Sequence, residues 1–108
     1  MLYVYFYFFV HVMIVKLIKS PNPEKKFRVI FETGGHVDFG GKGYSDFTIH
    51  KDSSRMKRYL ARHGRMRENW TKTGIRTAGF WSRWLLWSKP SLKEAKMLIV
   101  KRFDVKFS

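Results

Sequence analysis

The stretch FWSRWLLW, residues 80–87, constrains the fold most, because a small domain cannot leave so many large apolar side chains in water. On a helix these aromatic and leucine side chains form one wide apolar arc, with Ser82 and Arg83 facing away. A platform for single-stranded nucleic acid usually spaces its aromatic side chains among basic residues along an open groove. Here the aromatic residues are contiguous, which predicts a core or a contact between subunits. Binding to nucleic acid or to a membrane surface stays open.

Tryptophan and arginine together are typical of the residues that dominate protein interfaces. The predicted protein-contact residues are Phe80, Trp81, Arg83, Trp84, Trp87 and Trp70.

The chain has 108 residues, 22 Lys and Arg against 8 Asp and Glu, and a formal net charge of +14. This length suits one small domain, whose core is marginal without a partner. The charge predicts a polyanionic partner, which is nucleic acid, anionic lipid or an acidic protein surface. The chain contains no cysteine, so disulfides and thiolate metal sites are excluded.

Residues 1–15, MLYVYFYFFVHVMIV, are apolar apart from His11, and lysines follow at 16 and 19. We predict that residues 1–19 form a membrane anchor, with residues 1–18 helical and about 27 Å long. A strand or helix buried against a partner is an alternative, because aromatic and β-branched residues also favour strands. A wrongly assigned start codon is another. The predicted anchor residues are Leu2, Phe6, Phe8, Phe9, Val12 and Ile14.

The remainder of the chain predicts a linker at 20–26 and a small basic α+β domain at 27–108. Alternating apolar residues at 27–33 and 36–40 around Gly34-Gly35 indicate a β-hairpin. Helices are predicted at 52–64, capped by Asp52 or Ser53, at 78–87, and from Ser91 to about Arg102. The expected fold is a small sheet packed with two or three short helices, with the tail at 104–108 as an edge strand.

Motifs for chemistry are weak in this sequence. The loop HVDFGGKG, residues 36–43, has His36 where a phosphate-binding loop needs its first glycine, and Gly43 where it needs Ser or Thr. His50, Asp52 and His63 lie among many cations, which repel a metal ion. We therefore predict a protein without enzymatic activity, catalytic residues, metal or cofactor.

The segment from Lys42 to Lys89 holds twelve Lys and Arg against three acids. Arginine makes planar, bidentate contacts with phosphates and carboxylates. The partner of this basic segment is either nucleic acid or an acidic protein surface, and the sequence does not choose between them. The residues predicted to contact an anionic partner are Arg55, Arg58, Arg62, Arg65, Arg67 and Arg76.

Two motifs, GYSDFTIHKD at 43–52 and AGFWSRWLLW at 78–87, resemble a family of short basic proteins of unknown function from large double-stranded DNA viruses, including those of algae. The resemblance covers residues 26–104. The residues that carry it are Gly43, Tyr44, Ser45, Asp46, Thr48, His50, Lys51, Asp52, Trp70, Gly79, Phe80, Trp81, Arg83, Trp84 and Trp87.

Such viruses build icosahedral shells over an internal membrane. The resemblance and the layout together imply a minor capsid protein on the inner side of the capsid shell of the virion. Its expected partners are the major capsid protein, other minor capsid proteins and the inner viral membrane. The alternative is a basic nucleic-acid-binding protein associated with the viral genome.

Overall fold

The computed structural model describes residues 12–108, which form an α+β fold, as predicted. A four-stranded sheet has the order β3-β2-β1-β4. The neighbours β1–β2 and β2–β3 are antiparallel, and β1–β4 is parallel. The strands are β1 (Met13–Lys19), β2 (Lys25–Phe31), β3 (His36–Gly41) and β4 (Val105–Phe107).

The helices are α1 (Phe47–His50), α2 (Ser53–Arg65), α3 (Ala78–Trp81) and α4 (Leu92–Phe103), with a 3₁₀ turn at Lys72–Gly74 and a π-helical turn at Ser82–Leu86. Side-chain caps explain where most of them begin. The carboxylate of Asp52 accepts hydrogen bonds from the first turn of α2, and the hydroxyl of Ser91 accepts one from the backbone N–H of Glu94 in α4. Both N-terminal boundaries agree with the predicted capping residues.

The structure corrects the helix predicted for residues 1–18, at least over its last third. Met13–Lys19 is a strand inside the sheet, with β2 on one side and β4 on the other. Val15 is 1% exposed and pairs with Phe31, so this part of the apolar run belongs to the folded domain. Of the predicted anchor residues, Ile14 lies in β1 and Val12 directly precedes it, whereas Leu2, Phe6, Phe8 and Phe9 lie outside the described residues.

The segment predicted as a linker at 20–26 is the turn between β1 and β2, together with the start of β2. The backbone N–H of Lys25 donates to the carbonyl of Asn22 at 3.1 Å, and that of Ser20 donates to the carbonyl of Lys26 at 3.2 Å. The sheet therefore continues across this segment, and within the described residues the domain begins at β1 instead of residue 27. Over residues 12–108, no helix is both long enough and apolar enough to span a bilayer.

The predicted hairpin is confirmed. Strands β2 and β3 place Phe27 opposite Phe39 and Val29 opposite Val37. Gly34 and Gly35 have φ angles of 112° and 82°, which suit glycine in a tight turn. The tail is confirmed as a strand at the sheet edge, where Val105 pairs with Met13.

The core lies between one face of the sheet and the helical segment that contains residues 80–87. Trp81 is 0% exposed, lies 6.3 Å from Phe39 and 6.4 Å from Phe31 between ring centroids, and donates its indole N–H to the carbonyl of Ile75 at 2.6 Å. The predicted helix at 78–87 becomes α3 followed by the π-helical turn. This wider turn buries Leu86 as well as Trp84.

Candidate anion-binding surface

An exposed cationic surface of the described chain lies on α2. Its sequence, SSRMKRYLARHGR, contains no acidic residue, and Asp52 caps its N-terminus. The side chain of Tyr59 is 7% exposed and holds the helix on the domain. The cations Arg55, Lys57, Arg58, Arg62 and Arg65 are all exposed.

Four of these side chains share one side of the helix. At about 100° per residue, positions 55, 58, 62 and 65 fall within an arc of about 80° and extend over about 15 Å. We call this set the arginine stripe; it consists of Arg55, Arg58, Arg62 and Arg65. Lys57 lies outside the arc. Within residues 12–108, no member of the stripe forms an ion pair.

The stripe is unfavourable for the isolated helix. Arg55 and Arg58 are three residues apart, Arg58 and Arg62 four, and Arg62 and Arg65 three. Each such pair of like charges destabilises a helix by about 0.2–0.5 kcal/mol. Three pairs together cost about 1 kcal/mol, which an anionic partner would recover on binding.

A groove of about 420 Å³ adjoins the stripe, between α2 and the end of the sheet. Arg55 and Arg62 line it together with Lys25 and the half-buried imidazole of His63. Both acids of the groove are already matched within the chain. The carboxylate of Asp46 lies 2.6 Å from the ammonium of Lys26, and that of Glu68 lies 2.9 Å from Nδ1 of His63. The groove therefore has a net charge of +2 when His63 is neutral. This count sets four cations against two carboxylates, namely Lys25, Lys26, Arg55 and Arg62 against Asp46 and Glu68.

A stack of rings attaches α2 to the rest of the domain. The ring of Tyr59 lies 4.3 Å from that of Trp87 at an interplanar angle of 4°, and 4.1 Å from the imidazole of His63 on its other side. Burial raises the pKa of the Tyr59 phenol above its usual value, and the nearby Glu68 carboxylate adds to this effect. Tyr59 is therefore neutral at physiological pH and acts as a packing residue beneath the stripe.

The polar residues of GYSDFTIHKD stabilise the backbone that leads into α2. Asp46 is 2% exposed and accepts a hydrogen bond from the backbone N–H of Thr48 at 2.9 Å. Nδ1 of His50 accepts one from the backbone N–H of Asp52 at 2.9 Å. The backbone N–H groups of Arg55 and Ser54 donate hydrogen bonds to the carboxylate of Asp52, and these bonds lower its pKa. Because these hydrogen bonds fix the start of α2 and so position the arginine stripe, the polar residues of the motif have a structural role.

The residues predicted to contact a partner around position 84 do not form one continuous surface. Phe80 and Trp81 are both 0% exposed and Trp84 is 6% exposed, so the domain's own core contains them. Trp70 and Trp87 are half-buried. The octapeptide is thus mainly core, which is one of the two uses, core or subunit contact, that its contiguous aromatic residues predict.

Arg83 is enclosed by aromatic rings. Its guanidinium lies 4.2 Å from the ring centroid of Trp84 and 5.5 Å from that of Trp70, and it donates to the carbonyl of Trp87 at 2.9 Å. Burial lowers the pKa of Arg83, and its Nε has no hydrogen-bond partner among the described residues. The contacts of Arg83 are therefore within the domain, and they stabilise the π-helical turn.

The other two arginines predicted to contact an anionic partner, Arg67 and Arg76, lie outside the arginine stripe. The guanidinium of Arg76 donates to the carbonyl of Gly34 at 2.9 Å and to the hydroxyl of Thr33 at 2.8 Å, and it lies 4.3 Å from the ring centroid of Phe31. Arg76 thus braces the β2–β3 turn. Arg67 is exposed just beyond the end of α2, with a φ angle of 60°. Sequence reasoning missed the contribution of Lys25, because its place beside α2 depends on the fold.

Among residues 12–108, no three His, Asp or Glu side chains come together in a way that could hold a metal ion. Inside the groove the carboxylate of Glu68 pairs with His63, and the indole N–H of Trp70 also donates to Glu68 at 3.0 Å. Glu68 is consequently a partner for two neighbouring side chains of the domain.

Comparison with known proteins gives one family. Residues 15–63 match the model of a family described as a family of unknown function (DUF5754). The matched region runs from β1 through most of α2 and includes Arg55, Arg58 and Arg62, but it ends before residues 80–87. No curated protein and no solved structure matches the chain.

Proposed function

We propose that this protein is a structural component without enzymatic activity, which binds an anionic neighbour through the arginine stripe of α2. The observation that carries the proposal is the absence of any ion pair on these exposed arginines in the described part of the chain. Like charges so close together are retained at a cost in stability, which is expected where a partner neutralises them.

The proposed neighbour is the acidic surface of capsid proteins. Arginine binds carboxylates bidentately and is suited to protein interfaces. The resemblance to viral proteins supports the assignment to a minor capsid protein on the inner side of the capsid shell. Contact with the inner viral membrane through Leu2, Phe6, Phe8 and Phe9 remains part of the proposal.

The non-enzymatic assignment is supported by the roles of the polar motif residues. Asp46, His50 and Asp52 accept hydrogen bonds from the backbone at the start of α1 and α2. Side chains engaged in this way hold the local structure, and their main acceptor groups are already used.

Fractionation of purified virions tests the proposal. The particles would be separated into shell, membrane and genome-rich core, and the chain would be located by peptide mass spectrometry. We expect recovery with the shell at a fixed ratio to the major capsid protein. Absence from the particle, or recovery with the genome alone, would overturn the capsid assignment.

Binding to nucleic acid is the second candidate, and one aromatic side chain favours it. Tyr44 is 77% exposed and lies at the rim of the groove beside Lys25, where a base could stack on it. If the four arginines of the stripe contact phosphates of duplex DNA, the logarithm of affinity should fall with the logarithm of salt concentration with a slope of about −3.6. Weak binding without such a slope would eliminate this candidate.

A further inference from the structure

A second surface, separate from the arginine stripe, combines apolar side chains with an open strand edge. A groove of about 820 Å³ lies between α4 and β4. Met97 is 63% exposed and Val100 is 44% exposed on the helix side of this groove. Its apolar lining residues are Leu92, Met97, Val100, Val105 and Phe107.

The backbone of β4 has hydrogen-bonding groups that face away from β1. The N–H of Met13 donates to the carbonyl of Asp104 at 2.9 Å, and the N–H of Ser108 donates to the carbonyl of Val15 at 2.8 Å. In a parallel pair, alternate residues of a strand address the same neighbour. Asp104 and Ser108 therefore address β1, as Lys106 does between them. The N–H and C=O groups of Val105 and Phe107 point away from β1, to the edge where residues 12–108 supply no further strand.

The charge of the groove selects its occupant. Lys93, Lys96, Lys101 and Lys106 surround the apolar residues, and none of the described residues that line the groove is acidic. Lysines at a strand edge discourage pairing with a second copy of a basic chain, and this chain carries +14. An acidic segment would be attracted by the same four charges.

We infer that the groove binds an extended acidic segment of a partner protein, which adds a fifth strand to the sheet beside β4. Such a strand obtains its affinity from backbone hydrogen bonds and its specificity from alternate side chains. Side chains of the segment on the helix side would contact Met97 and Val100. Those on the opposite face would lie near Lys106, so the preferred segment alternates apolar and acidic residues.

Peptide binding to the full chain tests the inference. The probe is an eight-residue peptide in which valine alternates with glutamate. Three control peptides have the same residues in two blocks, lysine in place of glutamate, or N-methylated backbone amides. Fluorescence anisotropy gives the affinities, and amide hydrogen exchange by NMR reports on Val105 and Phe107. We expect binding of the alternating acidic peptide alone, with slower exchange of both amides in the complex.

A matched pair of variants locates the site. Met97→Glu places a charge in the groove, whereas Met66→Glu changes a methionine of the same 63% exposure at the end of α2. We expect Met97→Glu to weaken peptide binding at least tenfold and Met66→Glu to leave it unchanged. Lys106→Glu, on the strand itself, should weaken it as well, which keeps the test valid if Met97→Glu does not fold.

Several results would overturn the inference. Equal binding of the block or N-methylated peptide would show that no strand is added, and unchanged exchange at Val105 and Phe107 would place any binding elsewhere. Amides that are already protected in the free chain would show that the edge is occupied by residues 1–11 or by a second copy. None of these outcomes affects the proposal for the arginine stripe, which lies on α2.

Discussion

Reversing one charge in the arginine stripe should stabilise the protein while weakening its proposed function. Arg58 lies between Arg55 and Arg62 at spacings of three and four residues, and all three side chains are exposed. The change Arg58→Glu converts both repulsive pairs into attractive ones. In the pair of position 58 with Arg62 the acid is N-terminal to the base, which is the better orientation in a helix.

The magnitude follows from the two pairs. Each repulsion of about 0.2–0.5 kcal/mol is removed and replaced by an attraction of similar size, which gives about 0.8–2 kcal/mol in total. Arg58 also attracts the carboxylate of Asp52 weakly, and this attraction is lost. We therefore expect the free energy of unfolding to rise by about 1 kcal/mol, or Tm by about 4–8 °C for a domain of this size.

The control is Lys57→Glu, which changes the net charge of the chain by the same amount. Positions 53, 54, 60 and 61, three or four residues away from Lys57, are serine, serine, leucine and alanine. This variant has no charged residue three or four positions away on the helix, so its Tm should change much less. Thermal unfolding followed by circular dichroism at low salt measures both. A Tm for Arg58→Glu at or below that of the control would refute the reasoning, because the stripe would then have favourable contacts within the chain.

Three further perturbations test the fold that supports the stripe. Trp81→Ala should lower the free energy of unfolding by about 3–5 kcal/mol in urea titrations, because its indole is fully buried; a loss below 1 kcal/mol would contradict its place in the core. Asp52→Ala should cost about 1 kcal/mol through loss of the N-cap of α2, with helical circular dichroism reduced, and Asp52→Asn should restore most of it. The Arg28 guanidinium, which donates to Asp38 at 2.8 and 2.9 Å, lowers the pKa of that carboxyl to about 2. Because this pKa is depressed, the stabilisation is complete above the unfolded value of about 3.9 and is lost as pH falls towards about 2. The difference in Tm between the protein and Asp38→Asn should therefore shrink over that interval, and a difference as large at pH 2 as at pH 5 would contradict the pairing.

Local signals predicted the parts of the fold that depend on neighbours in sequence. Alternation around Gly34-Gly35 gave the hairpin, and Asp52 and Ser91 gave the starts of α2 and α4. Each of these features needs only a few consecutive residues to satisfy its hydrogen bonds.

The N-terminal part of the fold could not be predicted in the same way. β1 has partners on both sides, and a strand buried in the middle of a sheet has a continuous apolar sequence that also suits a helix. Its partner β4 lies about ninety residues away in sequence, since Val105 pairs with Met13. The residues Pro21, Asn22 and Pro23 are equally common in linkers and in turns, so the turn between β1 and β2 was taken for a linker.

The candidate site was predictable only in part. The spacing of Arg55, Arg58, Arg62 and Arg65 already indicates one side of a helix. Whether these arginines are paired depends on where the eight acids of the chain lie after folding. The octapeptide is ambiguous for another reason, since aromatic side chains serve cores and interfaces alike. Burial of Phe80 and Trp81 in the domain itself separates the two uses.

Cross-linking inside the assembled particle tests the central claim most directly. A photoreactive phenylalanine analogue in place of the exposed Lys57 lies beside the stripe and leaves its four arginines intact. We predict adducts with capsid proteins, at peptides rich in Asp and Glu, and their loss in the Arg58→Glu background. Adducts with the genome, or capsid adducts that persist in that background, would contradict the claim that the arginine stripe binds an acidic protein surface.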